Sequence, residues 1–155
     1  MSAVCFSRTT KPAGFLGALC IAIVLIMVSG CEMATSPVRS SETRHVPASR
    51  ILAPRKAYWT EDGIPVTVKT DRDYDTKLSP SFSLNGNPIA VIHEAERIDM
   101  RLRPGEYVFS VGPYMNPIQS YVKDQNVTIK AGENMTFRIY KEREDGPFNI
   151  EATSF

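Results

Sequence analysis

The side chains whose types and spacing suit chemistry fall into a few short groups. Asp71-Arg72-Asp73-Tyr74-Asp75 places acids at alternate positions, as the opening of a calcium loop does. Such a loop also needs glycine at its sixth position and glutamate at its twelfth. Thr76 and Phe82 stand there, so the segment reads as an exposed acidic loop. His93-Glu94-Ala95-Glu96-Arg97 begins like a zinc-protease motif but lacks the second histidine. The only other histidine is His45, and two histidines so separated do not make a three-ligand zinc site. Glu94 and Glu96, two apart and so on one strand face, are a carboxylate pair of the kind glycoside hydrolysis uses. They read more simply as the polar end of a hairpin. No Gly-x-Ser-x-Gly nucleophile elbow occurs. The sequence therefore offers no catalytic residue, no metal site and no cofactor. Three cysteines remain, Cys5, Cys20 and Cys31, and their chemistry depends on where the chain goes.

The elements that would position these groups are strands. Ile64, Val66 and Val68 alternate with polar or small neighbours, as do Phe82 and Leu84. The same holds for Ile98, Met100 and Leu102, and for Tyr107, Phe109 and Val111. Val127 with Ile129, then Met135, Phe137 and Ile139, then Phe148 with Ile150 complete the series. A period of two marks strands with one buried and one wet face. Asn85-Gly86-Asn87-Pro88 predicts a tight hairpin turn. Arg103-Pro104-Gly105-Glu106 predicts a type II turn, and Lys130–Glu133 and Glu144–Pro147 supply two more turns. The expected fold is all-β: an antiparallel β-sandwich of about seven or eight short strands over residues 51–155. Charged outward positions such as Arg97, Asp99, Arg101 and Arg103 are expected to be solvated sheet surface.

The start of the chain has a different character. Arg8 and Lys11 precede an uncharged run from Pro12 to Val28, and the run ends in Val28-Ser29-Gly30-Cys31. A basic start, an apolar stretch and small residues at its end form an export signal, here a signal helix over residues 1–30. The last four residues resemble the lipobox of bacterial lipoproteins. That resemblance implies cleavage between Gly30 and Cys31 and lipidation of the Cys31 thiol. It leaves the mature chain with one cysteine, so its fold must stand without disulfides. It also implies a membrane partner through acyl chains, since two or more chains anchor a protein stably. Glu32 after the cysteine, where an aspartate would mark inner-membrane retention in enteric-type sorting, points to the outer membrane and its periplasmic face.

Residues 31–50 are rich in Ser, Thr, Pro and Arg and lack aromatics. They read as a flexible tether, with a typical reach of about 25 Å. Beyond Gly30 the chain keeps 16 of its 18 basic residues and all 17 acids. So even a balance shows no basic stripe and argues against nucleic acid as a partner.

Ile89-Ala90-Val91 followed by Ile98–Val111, with its Leu-x-Pro-Gly-x-Tyr turn, resembles small envelope β-domains of the PEGA and carboxypeptidase-regulatory kind. That likeness implies a binding or structural module and carries over no site residues. Tyr58-Trp59 is expected to pack in the core or lid one sandwich end. The Gly112–Pro117 loop is the candidate binding loop, with Tyr114, Met115 and Asn116 at its centre, because loops on rigid β scaffolds often carry recognition. The sequence thus predicts a non-enzymatic, lipid-anchored envelope accessory that binds a protein partner. The alternatives are an inhibitor or immunity-type protein capturing one envelope enzyme, and a hydrolase of envelope glycan or peptide.

Overall fold

The computed structural model describes residues 35–72, 78–114, 122–143 and 145–154. The Val28–Cys31 motif, and Met115 and Asn116 of the candidate loop, lie outside the described residues. Among the described residues, nine strands form two packed sheets: β1 (Arg44–His45), β2 (Ile64–Thr70), β3 (Pro80–Leu84), β4 (Asn87–Val91), β5 (Glu96–Leu102), β6 (Gly105–Pro113), β7 (Lys123–Ile129), β8 (Met135–Lys141) and β9 (Phe148–Thr153). One sheet has the order β1-β5-β2-β8-β9 and the other β4-β3-β6-β7. The expected all-β sandwich is therefore present. The four-stranded sheet is wholly antiparallel, whereas the five-stranded sheet is mixed, with β1 parallel to β5 and β2 parallel to β8.

The alternation in the sequence sets which side chains meet. Val66, Val68, Ile98, Met100, Phe137, Ile139 and Ile150 point inward from one sheet; Phe82, Leu84, Ile89, Phe109, Val111 and Ile129 point inward from the other. Phe109 stands edge-on to Phe82 at 5.2 Å and to Phe137 at 5.0 Å, so one aromatic chain crosses the interface. Each such pair contributes about 0.5–1.5 kcal/mol beyond simple area burial. Tyr58 is buried in this core and Trp59 packs against it beneath the Arg55 guanidinium, 4.2 Å from its ring centre.

The turns divide into two kinds. Asn85 (φ 50°) and Gly86 (φ 77°) close the β3–β4 hairpin as a two-residue type I′ turn, the predicted tight turn. The Pro104-Gly105 link behaves otherwise. It carries the chain from β5 in one sheet to β6 in the other, and Gly105 takes φ 153° instead of the roughly 80° of a type II turn.

The largest departure from the sequence reading is the N-terminal segment. From Thr35 to Val46 it does not hang free: it lies across the outer face of the five-stranded sheet as a strap. Ser36 exchanges backbone hydrogen bonds with Arg72 (3.1 and 3.0 Å), β1 pairs with β5, and Val46 enters the core. Val38 is only 1% exposed. Composition predicted disorder because it counts apolar burial alone. Here much of the ordering comes from charged sheet side chains bonding the strap's backbone carbonyls.

The register also gives the sandwich two ends. At the strap end lie Asp71 and Arg72 after β2, the His93–Ala95 link into β5, and Lys141 at the end of β8. Tyr114 belongs to the same end, its N–H donating to the Ser79 carbonyl at 2.8 Å. At the far end lie the Asn85-Gly86 turn, Gly105 and the Lys130–Gly132 turn.

Candidate functional site

The outer face of the five-stranded sheet is polar and closed. Across it, in register, run His45, Arg97, Lys69, Arg138 and Glu151. Three cations side by side would repel, and the surroundings answer each one. Arg97 donates to the carbonyls of Ser40 (2.7 Å) and Thr43 (2.9 Å) in the strap, and its Nε lies 3.4 Å from Asp99. Lys69, fully buried, donates from Nζ to the Val38 carbonyl. Arg138 bridges Glu151 at 2.6 Å and Asp71 at 3.3 Å.

Asp71, read from the sequence as part of an exposed acidic loop, is in fact fully buried. Its Oδ2 accepts from the Thr35 hydroxyl at 3.5 Å, and a hydrogen bond from the Val38 backbone N–H also favours its charged form. Burial raises its carboxyl above the usual range against the pull of Arg138 and Lys69, and burial likewise lowers Lys69.

Glu94 and Glu96, singled out from the sequence as a carboxylate pair, separate on folding. Glu96 opens β5 and is almost fully buried, whereas Glu94 lies in the link before it, so the two do not share a strand face. Glu96 accepts from Arg50 (2.5 Å), from the His93 backbone N–H (2.9 Å), and stands 3.4 Å from Arg44. That is a structural hub tying the strap region to β5. His93 is exposed; burial first, then the Arg50 charge, lowers its imidazole below its ordinary value, with Glu96 opposing. His45 sits in β1, 3.4 Å from Asp99. Among the described residues no group of three or more His, Cys, Asp or Glu is placed to hold a metal ion. Arg44, Arg72, Ser79, His93, Glu42 and Glu94 instead line an open cleft of about 430 Å³ at the strap end.

The outer face of the four-stranded sheet is built differently. Its outward positions are small: Ser81 and Ser83 from β3, and Val108, Ser110 and Gly112 from β6. Ser83 pairs with Ser110 and Ser110 with Asp124, so two hydroxyls and a carboxylate form a row across three strands. Short side chains leave the face concave, a cleft of about 710 Å³. Leu52, Tyr114 and Val122 border it at 44%, 55% and 46% exposure. They are the large hydrophobic side chains left exposed among the described residues, and all three border this one cleft. Tyr114 is the described member of the candidate binding loop. The serine floor was missed from sequence, although its signal was present: β3 and β6 alternate core residues with Ser, Val and Gly, while β5 alternates them with Arg and Asp.

No family model, curated protein or solved structure matches this chain. No helix among the described residues is long and apolar enough to cross a membrane.

Proposed function

We propose that this chain is a lipid-anchored envelope protein that binds a partner through the outer face of its four-stranded sheet and performs no chemistry of its own. Acylation at Cys31 after removal of residues 1–30 holds it at a membrane, and Glu32 directs it to the outer membrane, facing the periplasm. One observation carries the binding reading: Leu52, Tyr114 and Val122, the large apolar side chains left in water among the described residues, converge on one concave, hydroxyl-floored face. Apolar groups gathered around a recess gain from being covered, and the polar floor gives a partner hydrogen bonds to satisfy.

Two measurements test this reading. Metabolic labelling with an alkyne fatty acid should mark the wild-type protein and not Cys31→Ser, which should also leave the membrane fraction; label persisting on the variant overturns the anchor. A photo-crosslinking residue at position 114 or 122 should capture a protein partner in intact cells, and one at Lys130 should not. Equal capture from all three positions overturns the assigned face.

A further inference from the structure

The strap changes what an anchor at Cys31 would do. If residues 31–50 were a coil, the domain would swing at about 25 Å from the bilayer and present any side to it. The structure instead fixes the chain from Thr35 onward. The one proton of the Thr35 hydroxyl is shared between the Lys141 carbonyl at 3.2 Å and Asp71 at 3.5 Å, and Ser36 and Arg72 bond through their backbones. Lys69 and Arg97 then hold the carbonyls of Val38, Ser40 and Thr43. From Cys31 to Thr35 there are four chain steps of at most about 3.6 Å each, a leash of about 14 Å when fully stretched.

We propose that the docked strap seats this domain end-on against the lipid surface, with the strap end toward the headgroups and the far end toward solvent. This rests on the reading of Cys31 as the acylated residue. Three features of the strap end suit a lipid surface. The leash leaves the sheet there, beside Arg72. The open cleft at that end sets the guanidiniums of Arg44 (side chain 76% exposed) and Arg72 among the carboxylates of Glu42 and Glu94. That mixture complements a zwitterionic headgroup, with phosphate on the guanidiniums and ammonium near the acids. Exposed Tyr114 stands at the same end, and tyrosine is favoured where an apolar surface meets water. Seated this way, the strands run roughly along the membrane normal and the serine-floored face opens sideways, parallel to the bilayer.

The test uses the full acylated protein in vesicles of phosphatidylethanolamine and phosphatidylglycerol that carry a headgroup spin label. A fluorophore is placed at the strap end through Glu142→Cys or at the far end through Lys130→Cys; both positions are exposed. Quenching should be several-fold stronger from position 142 than from position 130. A sixteen-residue Gly/Ser insertion between Glu32 and Met33 should bring the two toward equality. Equal quenching from both ends of the native-length protein overturns the proposal, as does strong end-to-end asymmetry that survives the insertion. The mass of the Cys31 peptide is read first, so that failure of acylation, which sinks the anchor reading, is distinguished from failure of seating.

Discussion

The two outer faces of this sandwich solve opposite problems with the same strand geometry. The five-stranded face carries long charged side chains in register, and the chain's own N-terminal segment covers them. The four-stranded face carries serine, glycine and valine, stays concave, and is left open. Length of side chain decides the difference. Lys69 and Arg97 reach far enough to grip the strap's backbone carbonyls, while Arg138 pairs with Asp71 and Glu151 of its own sheet, so that face binds part of its own molecule. Ser83 and Ser110 reach nothing beyond the sheet surface, so that face keeps a recess for something else. A charged strand face can be an internal interface, and a bland one can be the external one.

Substitutions on the closed face should cost stability and those on the open face should cost binding. The largest effect is expected from Lys69→Ala, which empties a fully buried site and leaves Asp71 with one cation fewer. We predict a loss of about 3–5 kcal/mol in urea unfolding; a loss under about 1 kcal/mol would mean the buried row is not what closes this face. Val38→Ala should cost about 2 kcal/mol by removing two buried methyl groups from the strap. It should also speed proteolysis within residues 35–46 without exposing the core. On the open face, Ser83→Ala with Tyr114→Ala should change the unfolding free energy by no more than about 0.5 kcal/mol. The same pair should abolish crosslinking to a partner from position 122. Loss of fold instead of loss of capture would erase the distinction between the faces.

The smallest effect is a pH dependence at the strap end. His93 has a folded pKa below 6.5, so the unfolded chain takes up its proton first. Its contribution to stability therefore falls as pH drops through the window from 6.5 down to the lowered folded value. Asp71 titrates with the opposite sign, because its raised folded pKa favours the folded state on acidification. Comparing wild type with His93→Gln isolates the histidine. The variant's melting temperature should fall less between pH 7 and pH 5, and identical profiles would show that His93 contributes nothing.

Much of this architecture was legible in the residues, and the reason is periodicity. The alternations around Val66, Phe82, Met100, Phe109, Phe137 and Ile150 each became a strand with those residues inside. Asn85-Gly86 made its hairpin because both residues tolerate positive φ. The strap was illegible for an equally physical reason. Its sequence has little apolar surface, and what orders it is the set of donors that β2 and β5 hold up to its carbonyls. Asp71 and Glu96 were misplaced likewise: an acid reads as exposed until the arginine that buries it, Arg138 or Arg50, is brought in from a distant element. Tyr114 was singled out from its loop, but the serine row it overlooks exists only once β3, β6 and β7 lie side by side.

The parallel pairing of β2 with β8 also sets an order for folding. Val68 must find Phe137, far along the chain, before the five-stranded sheet has its centre. Contacts of such sequence separation are slow to close, and parallel strands cannot be joined by a local turn. Of the strands that precede it, β2 alone takes β8 as a neighbour, so the centre of this sheet rests on that one distant pairing.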